Sequence, residues 1–116
     1  MKFSLNGKVF RSVENTENGE VTAETIFKYS QNGSIVSAEY SGGNIVTGHI
    51  LATMADNGEL HMRYHHLNHD GEFMLGQCIS TPVLLPDGRM KYCENWQWIS
   101  GDMSKGYSEI EEVTNV

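Results

Sequence analysis

Met90-Lys91-Tyr92-Cys93-Glu94-Asn95-Trp96-Gln97-Trp98-Ile99 alternates large apolar or aromatic side chains with polar ones and carries both tryptophans of the chain. Alternation with a period of two belongs to a β-strand buried on one face. Met90, Tyr92, Trp96 and Trp98 form the inward set, and Glu94 shares their face. The stretch therefore predicts a carboxylate set in an aromatic wall, and the rest of the chain has to supply what encloses it.

The same alternation returns between Asn18-Gly19, Asn32-Gly33, Gly42-Gly43, Asn57-Gly58, Asp70-Gly71, Asp87-Gly88 and Gly101-Asp102. Asn-Gly, Asp-Gly and Gly-Gly favour tight hairpins because both central residues take positive φ at low cost. Strands are expected over residues 8–14, 20–31, 34–41, 44–55, 59–68, 72–85, 89–100 and 106–113. The expected fold class is all-β, a single antiparallel up-and-down meander of about eight strands, with residues 1–116 as one domain. Closing such a meander into a barrel removes both exposed edges and leaves an interior that side chains fill or that holds one small ligand.

Tight turns also predict which side chains share a face. Across a two-residue loop, residues equidistant from it stand opposite and point the same way. On that rule Trp98 and Trp96 lead to Gln77 and Ile79, then to Tyr64 and Met62, then to Leu51 and Thr53. The expected interior is Phe10, Phe27, Tyr29, Val36, Ala38, Tyr40, Ile45, Leu51, Met62, Tyr64, Leu75, Ile79, Tyr92, Trp96 and Trp98. Glu14, Thr25, Thr47, His49, His66, Gln77 and Glu94 are the polar groups expected among them, and Val46, Ile50 and Met74 are expected outside. A bulge would flip a segment. Pro82 and Pro86 mark the end of the sixth strand as the place to expect one, and the long connection after Gly101 leaves the facing of the eighth strand open.

The formal charge is −7, with Lys+Arg 8 against Asp+Glu 15. Nucleic acids and anionic membranes need a basic footprint, so neither is an expected partner. No run of about 18 apolar residues is present, as a membrane helix would need, and the first residues lack the apolar core of a signal peptide. The expected location is cytoplasmic. Cys78 and Cys93 are expected four ladder positions apart, beyond the roughly 7 Å Cα separation of a disulfide, and so are read as free thiols.

His61, His65, His66 and His69 invite a metal reading. His61 and His65 lie on one strand face about 13 Å apart at about 3.3 Å per residue, too far to share an ion. His49 opposite His66 would supply only two ligands, so no metal and no cofactor is expected.

Tyr40, Tyr64, His66, Gln77, Glu94, Trp96 and Trp98 are the candidate ligand-binding residues; Tyr40, Tyr64, His66, Gln77 and Trp98 are expected to converge near the turns at Gly42-Gly43 and Asp70-Gly71, with Glu94 further in beside Trp96. An aromatic pocket with a few fixed polar groups is the usual form of a small-molecule site. The main expectation is a small-molecule-binding barrel of unidentified ligand. The first alternative is a structural or interaction protein, a homodimer joined through outward Val46, Ile50 and Met74. The second is a small enzyme using Glu94 and His66 as an acid-base pair, with the balance leaning against catalysis.

At Gly33-Ser34-Ile35-Val36-Ser37-Ala38-Glu39-Tyr40 the chain resembles the Gly-x-Leu-Thr-Gly-x-Tyr strand of avidin-like barrels, whose tyrosine points into the pocket. The Gly-x-Trp opening of avidins and lipocalins is represented by Gly7-Lys8-Val9-Phe10, without the tryptophan. Over nearly its whole length the chain looks like a family of small bacterial proteins with avidin-like or calycin-like barrels. Tyr40-Ser41-Gly42-Gly43, Arg63-Tyr64-x-His66-x-Asn68, Cys78-x-Ser80-Thr81-Pro82 and Glu94-x-Trp96-Gln97-Trp98 carry that resemblance. Members often bear the name N-acetylglutamate synthase, which implies acetyl-CoA and glutamate as substrates. Acetyltransferases of the usual kind cradle the CoA pyrophosphate with Arg/Gln-x-x-Gly-x-Gly/Ala at a helix N-terminus, and the sequence contains no such motif.

Overall fold

The structure, a computed structural model, describes residues 4–113. Eight strands follow one another: β1 (Val9–Asn15), β2 (Ile26–Asn32), β3 (Ile35–Gly42), β4 (Ile45–Met54), β5 (Leu60–Asn68), β6 (Phe73–Leu84), β7 (Met90–Trp98) and β8 (Lys105–Glu112). Each pairs antiparallel with the next, and β8 returns to β1 to close a barrel. The all-β up-and-down meander is thus the architecture of the chain.

β2 starts at Ile26, later than the alternation predicts, and residues 16–25 form a loop at the barrel end. This loop is tied down by its own polar side chains. Asn18 Nδ2 donates to the carbonyl oxygen of Lys105 at 2.7 Å, Thr25 Oγ1 donates to that of Gly42 at 3.1 Å, and Trp98 Nε1 donates to that of Asn18 at 3.0 Å.

Three hairpins differ from the expected two-residue form, and the difference decides which side chains are inside. Ala55 pairs with Glu59, Asn68 with Glu72 and Leu85 with Arg89, so each loop has three residues. In each, the third loop residue is a glycine at positive φ, +88° at Gly58, +81° at Gly71 and +91° at Gly88. A turn closed by a left-handed glycine is the usual three-residue hairpin. It moves the centre of the hairpin by half a residue, and a one-residue slip reverses the face of the strand beyond.

Two strands are accordingly reversed relative to the expectation. On β6, Gly76, Cys78 and Ser80 face inward, and Leu75, Gln77 and Ile79 face outward; Trp98 pairs with Gly76 and Trp96 with Cys78. On β4, Gly48, Ile50 and Ala52 face inward, whereas His49, Leu51 and Thr53 are exposed. Consecutive half-residue shifts cancel on β5, so Met62, Tyr64 and His66 remain on the inner side as predicted.

Register also breaks between Ile45 and Thr47 and between Ser12 and Glu14. Ile45 stays buried as expected and Ser12 is buried too, whereas Thr47 and Glu14 turn outward, against expectation. The end of β6 holds its register, with Pro82 opposite Tyr92. β8 contributes Ser108 and Ile110 to the interior.

Leu5, Phe10, Leu60, Tyr92 and Ile110 fill one end of the barrel with no exposed surface. Phe10 meets Tyr29 and Tyr92 edge to face, at ring-centroid distances of 5.3 and 5.9 Å. Each such buried side chain stabilises the fold by about 2 kcal/mol relative to exposure. Tyr92 also donates its hydroxyl to the carbonyl of Gly58 at 3.0 Å, fastening this end. Cys78 and Cys93 are both free, facing Trp96 and Thr81 across the β6–β7 ladder. Among the described residues no helix is long and apolar enough to cross a membrane.

Candidate functional site

At the other end the barrel is not filled. A cavity there is lined by Tyr40, Tyr64, His66, Glu94, Trp96 and Trp98, with Phe27, Ile50 and Met62 between them and Asn15, Glu20 and Val21 at its mouth. The space open to the centres of water molecules is about 50 Å³.

Three inward glycines make room for its walls. A β-carbon at Gly76 would collide with the Tyr64 ring, one at Gly48 with Tyr40 and His66, and one at Gly106 with the Trp96 indole. Alternating small and large residues is how a narrow barrel fits bulky rings without breaking its ladder. Trp96 and Trp98 stand 5.3 Å apart at 58°, and Tyr64 and His66 meet Trp98 edge to face at 6.0 and 5.9 Å.

Two polar networks enter this aromatic box. In the first, Tyr40 Oη lies 2.8 Å from His66 Nδ1, and His66 Nε2 lies 2.6 Å from Glu20 Oε1. Asn68 Nδ2 donates to the second Glu20 oxygen at 3.1 Å. Burial lowers the His66 pKa despite the carboxylate, so the ring is a neutral imidazole that donates to Glu20 and accepts from the Tyr40 hydroxyl.

In the second network, the hydroxyls of Ser80 and Ser108 donate to the two oxygens of Glu94 at 3.0 and 3.1 Å. Burial pushes the Glu94 carboxyl up to about 7, and the two serine bonds oppose that shift only in part. Burial also raises the Cys78 thiol and the Tyr29, Tyr40 and Tyr64 hydroxyls, so these groups are neutral around Glu94 at ordinary pH.

Of the residues expected in the site, Gln77 is the one placed elsewhere. The three-residue loops turn it to the outer face, beside Arg63, Asn95 and Gln97. His49 also lies outside, opposite His65 with ring centroids 5.8 Å apart, while Gly48 stands opposite His66. Among the described residues no three of His, Cys, Asp and Glu are grouped to hold a metal ion.

Glu20, Asn15 and Val21 were missed by face propagation because the loop that carries two of them reads as strand. The three inward glycines had a visible signal: an isolated glycine in a strand marks a bulge or a close approach.

An up-and-down antiparallel barrel, packed at one end and hollow at the other, places the protein among the small cavity-bearing β-barrels. Within that class the chain belongs to the avidin-like protein family, whose model matches residues 3–113. No curated protein matches the chain.

Proposed function

We propose that this protein binds one compact small molecule inside the barrel, using Tyr40, Tyr64, His66, Glu94, Trp96 and Trp98 with Glu20 at the mouth. The observation that carries the reading is the cavity itself: aromatic walls with a few fixed polar groups, in a barrel whose other end is solidly packed. Membership of the avidin-like family supports it. The size supports a compact ligand, since one water needs about 10–15 Å³ of such space and the cavity offers about 50 Å³.

Native mass spectrometry of the gently purified protein tests this. A stoichiometric adduct that is retained by the parent and lost on Trp98→Ala supports the reading; an adduct that persists in the variant, or a crystal structure with the cavity closed by side chains, overturns it.

The enzyme alternative has less support, because Glu94 bonds to two serines and His66 to Tyr40 and Glu20 in separate networks. The homodimer alternative changes its surface. Ile50 is buried and Met74 packs against the core, so the two no longer offer an outer patch. Leu51, Leu75 and Ile99, which share an outer groove, are the exposed apolar residues a second copy would cover. A sedimentation measurement of the parent and Leu51→Glu decides it: a dimer that dissociates in the variant supports the surface, and a monomeric parent rules it out.

A further inference from the structure

Resting on the reading that the cavity is a ligand site, we infer that its ligand is a compact organic cation bearing N–H donors, a guanidinium or primary ammonium group, held against Glu94 between the tryptophans. Among the described residues the lining contains no Lys or Arg, and its only carboxylates are Glu20 and Glu94. His66 is neutral and already donates to Glu20. An anion would face two carboxyl groups there and no cationic side chain.

The unused hydrogen-bonding capacity points the same way. When Glu94 is ionised, each of its oxygens takes one serine hydroxyl, which leaves a lone pair on each for another donor. Asn15 Oδ1, on a lining residue, is buried without a partner among the described residues, while its amide nitrogen donates to the carbonyl of Val21 at 2.6 Å. The site thus offers acceptors, and an apolar occupant would leave them unmet.

The walls complete the match. Trp96, Trp98 and Tyr64 line the space, and aromatic rings attract cations through their faces, most strongly when water is excluded. A guanidinium also presents a flat N–H fork that suits a carboxylate. The cavity offers about 50 Å³ where one water needs about 10–15 Å³, which suits a small cation such as guanidinium.

The test follows the indole N–H resonances of Trp96 and Trp98 by NMR at pH 8 and constant ionic strength. The probes are guanidinium, methylammonium, neutral urea as the isostere of guanidinium, and acetate. The expected result is saturable shifts with the two cations, at least tenfold tighter than with urea and none with acetate. Glu94→Gln, confirmed as folded by its melting transition, should weaken the cations at least tenfold. Urea or acetate binding as tightly as guanidinium, or an unaffected Glu94→Gln variant, overturns the inference. If urea saturates the same resonances and Trp98→Ala abolishes its binding, the ligand site stands and only its preference for cations falls. If no probe moves either indole, the cation inference falls, and the fate of the ligand-site reading rests on the bound mass.

Discussion

His66 Nε2 and Glu20 Oε1 lie 2.6 Å apart although the two residues are separated by 46 positions in the chain. The bond joins the inner face of β5 to the loop of residues 16–25, and Tyr40 on β3 completes it from the other side of the imidazole. Loop, wall and cavity mouth are therefore one hydrogen-bonded unit, and Glu20 is the part of it that belongs to the loop.

Cutting that tether has a local signature. Glu20→Ala leaves the His66 donor without its acceptor, while the Asn68 amide keeps Glu72 Oε1 at 3.2 Å, a loss of about 1–3 kcal/mol by urea unfolding. Amide exchange should accelerate in residues 16–25 more than in β5 or β7. Exchange that rises equally everywhere would mean that the tether supports the whole barrel rather than the loop.

Glu94 gives stability an unusual pH dependence. Its carboxyl is raised from 4.5 to about 7, so between those values the native protein keeps a proton that the unfolded chain has released. Stability from this group is full below 4.5 and is lost as pH rises through about 7, a loss of about 3 kcal/mol. The groups that face it, Cys78, Tyr29, Tyr40, Tyr64 and Tyr92, stay neutral in that window. His66, with a lowered pKa, contributes with the opposite sign on acidification and does so equally in parent and variant. Urea unfolding at pH 5 and pH 8 should show the parent losing about that much more than Glu94→Gln; equal losses would refute the assignment.

The glycines of the wall can be tested by pairing each with its ring. Gly76→Ala forces a methyl group into Tyr64 and should cost about 1–3 kcal/mol. In the Tyr64→Ala background the same change meets open space and should cost much less. A double-mutant cycle with no coupling would show that position 76 needs glycine for its backbone alone.

Gln77 and Trp98 separate the outer surface from the inner wall. Gln77→Ala should change affinity for any ligand of the cavity by less than about twofold, the range of ordinary surface substitutions. Trp98→Phe keeps an aromatic wall but removes the bond from Nε1 to Asn18, so it should loosen the loop and weaken binding. A calorimetric titration in which Gln77→Ala is the weaker of the two would contradict the register of β6.

The order of strands and the aromatic inner face were legible in the chain because both depend on local features. Trp96, Trp98, Tyr92, Tyr64, Met62, Tyr40 and Phe27 alternate with polar residues, and Asn-Gly, Asp-Gly or Gly-Gly turns separate the segments. Gln77, His49 and Leu51 were misplaced for one reason. A dipeptide such as Asp87-Gly88 fits a two-residue or a three-residue loop, and the choice reverses the next strand. Two such reversals cancel, so β5 keeps its expected face between β4 and β6, which do not. Residues 20–25 read as strand because they alternate, and bonds to Asn15, Gly42, His66 and Asn68, most of which join groups far apart in the chain, help to hold them as a loop.

By itself the sequence determined an all-β meander of eight strands with tryptophans, tyrosines and Glu94 directed inward, since side-chain alternation and turn chemistry are written residue by residue. The tertiary structure alone decided which partner each strand presents across its ladder, that Gly48, Gly76 and Gly106 yield their space to aromatic rings, and that Glu20 reaches His66. Those outcomes depend on half-residue shifts at turns and on closure of β8 against β1, which bring together groups far apart in the chain.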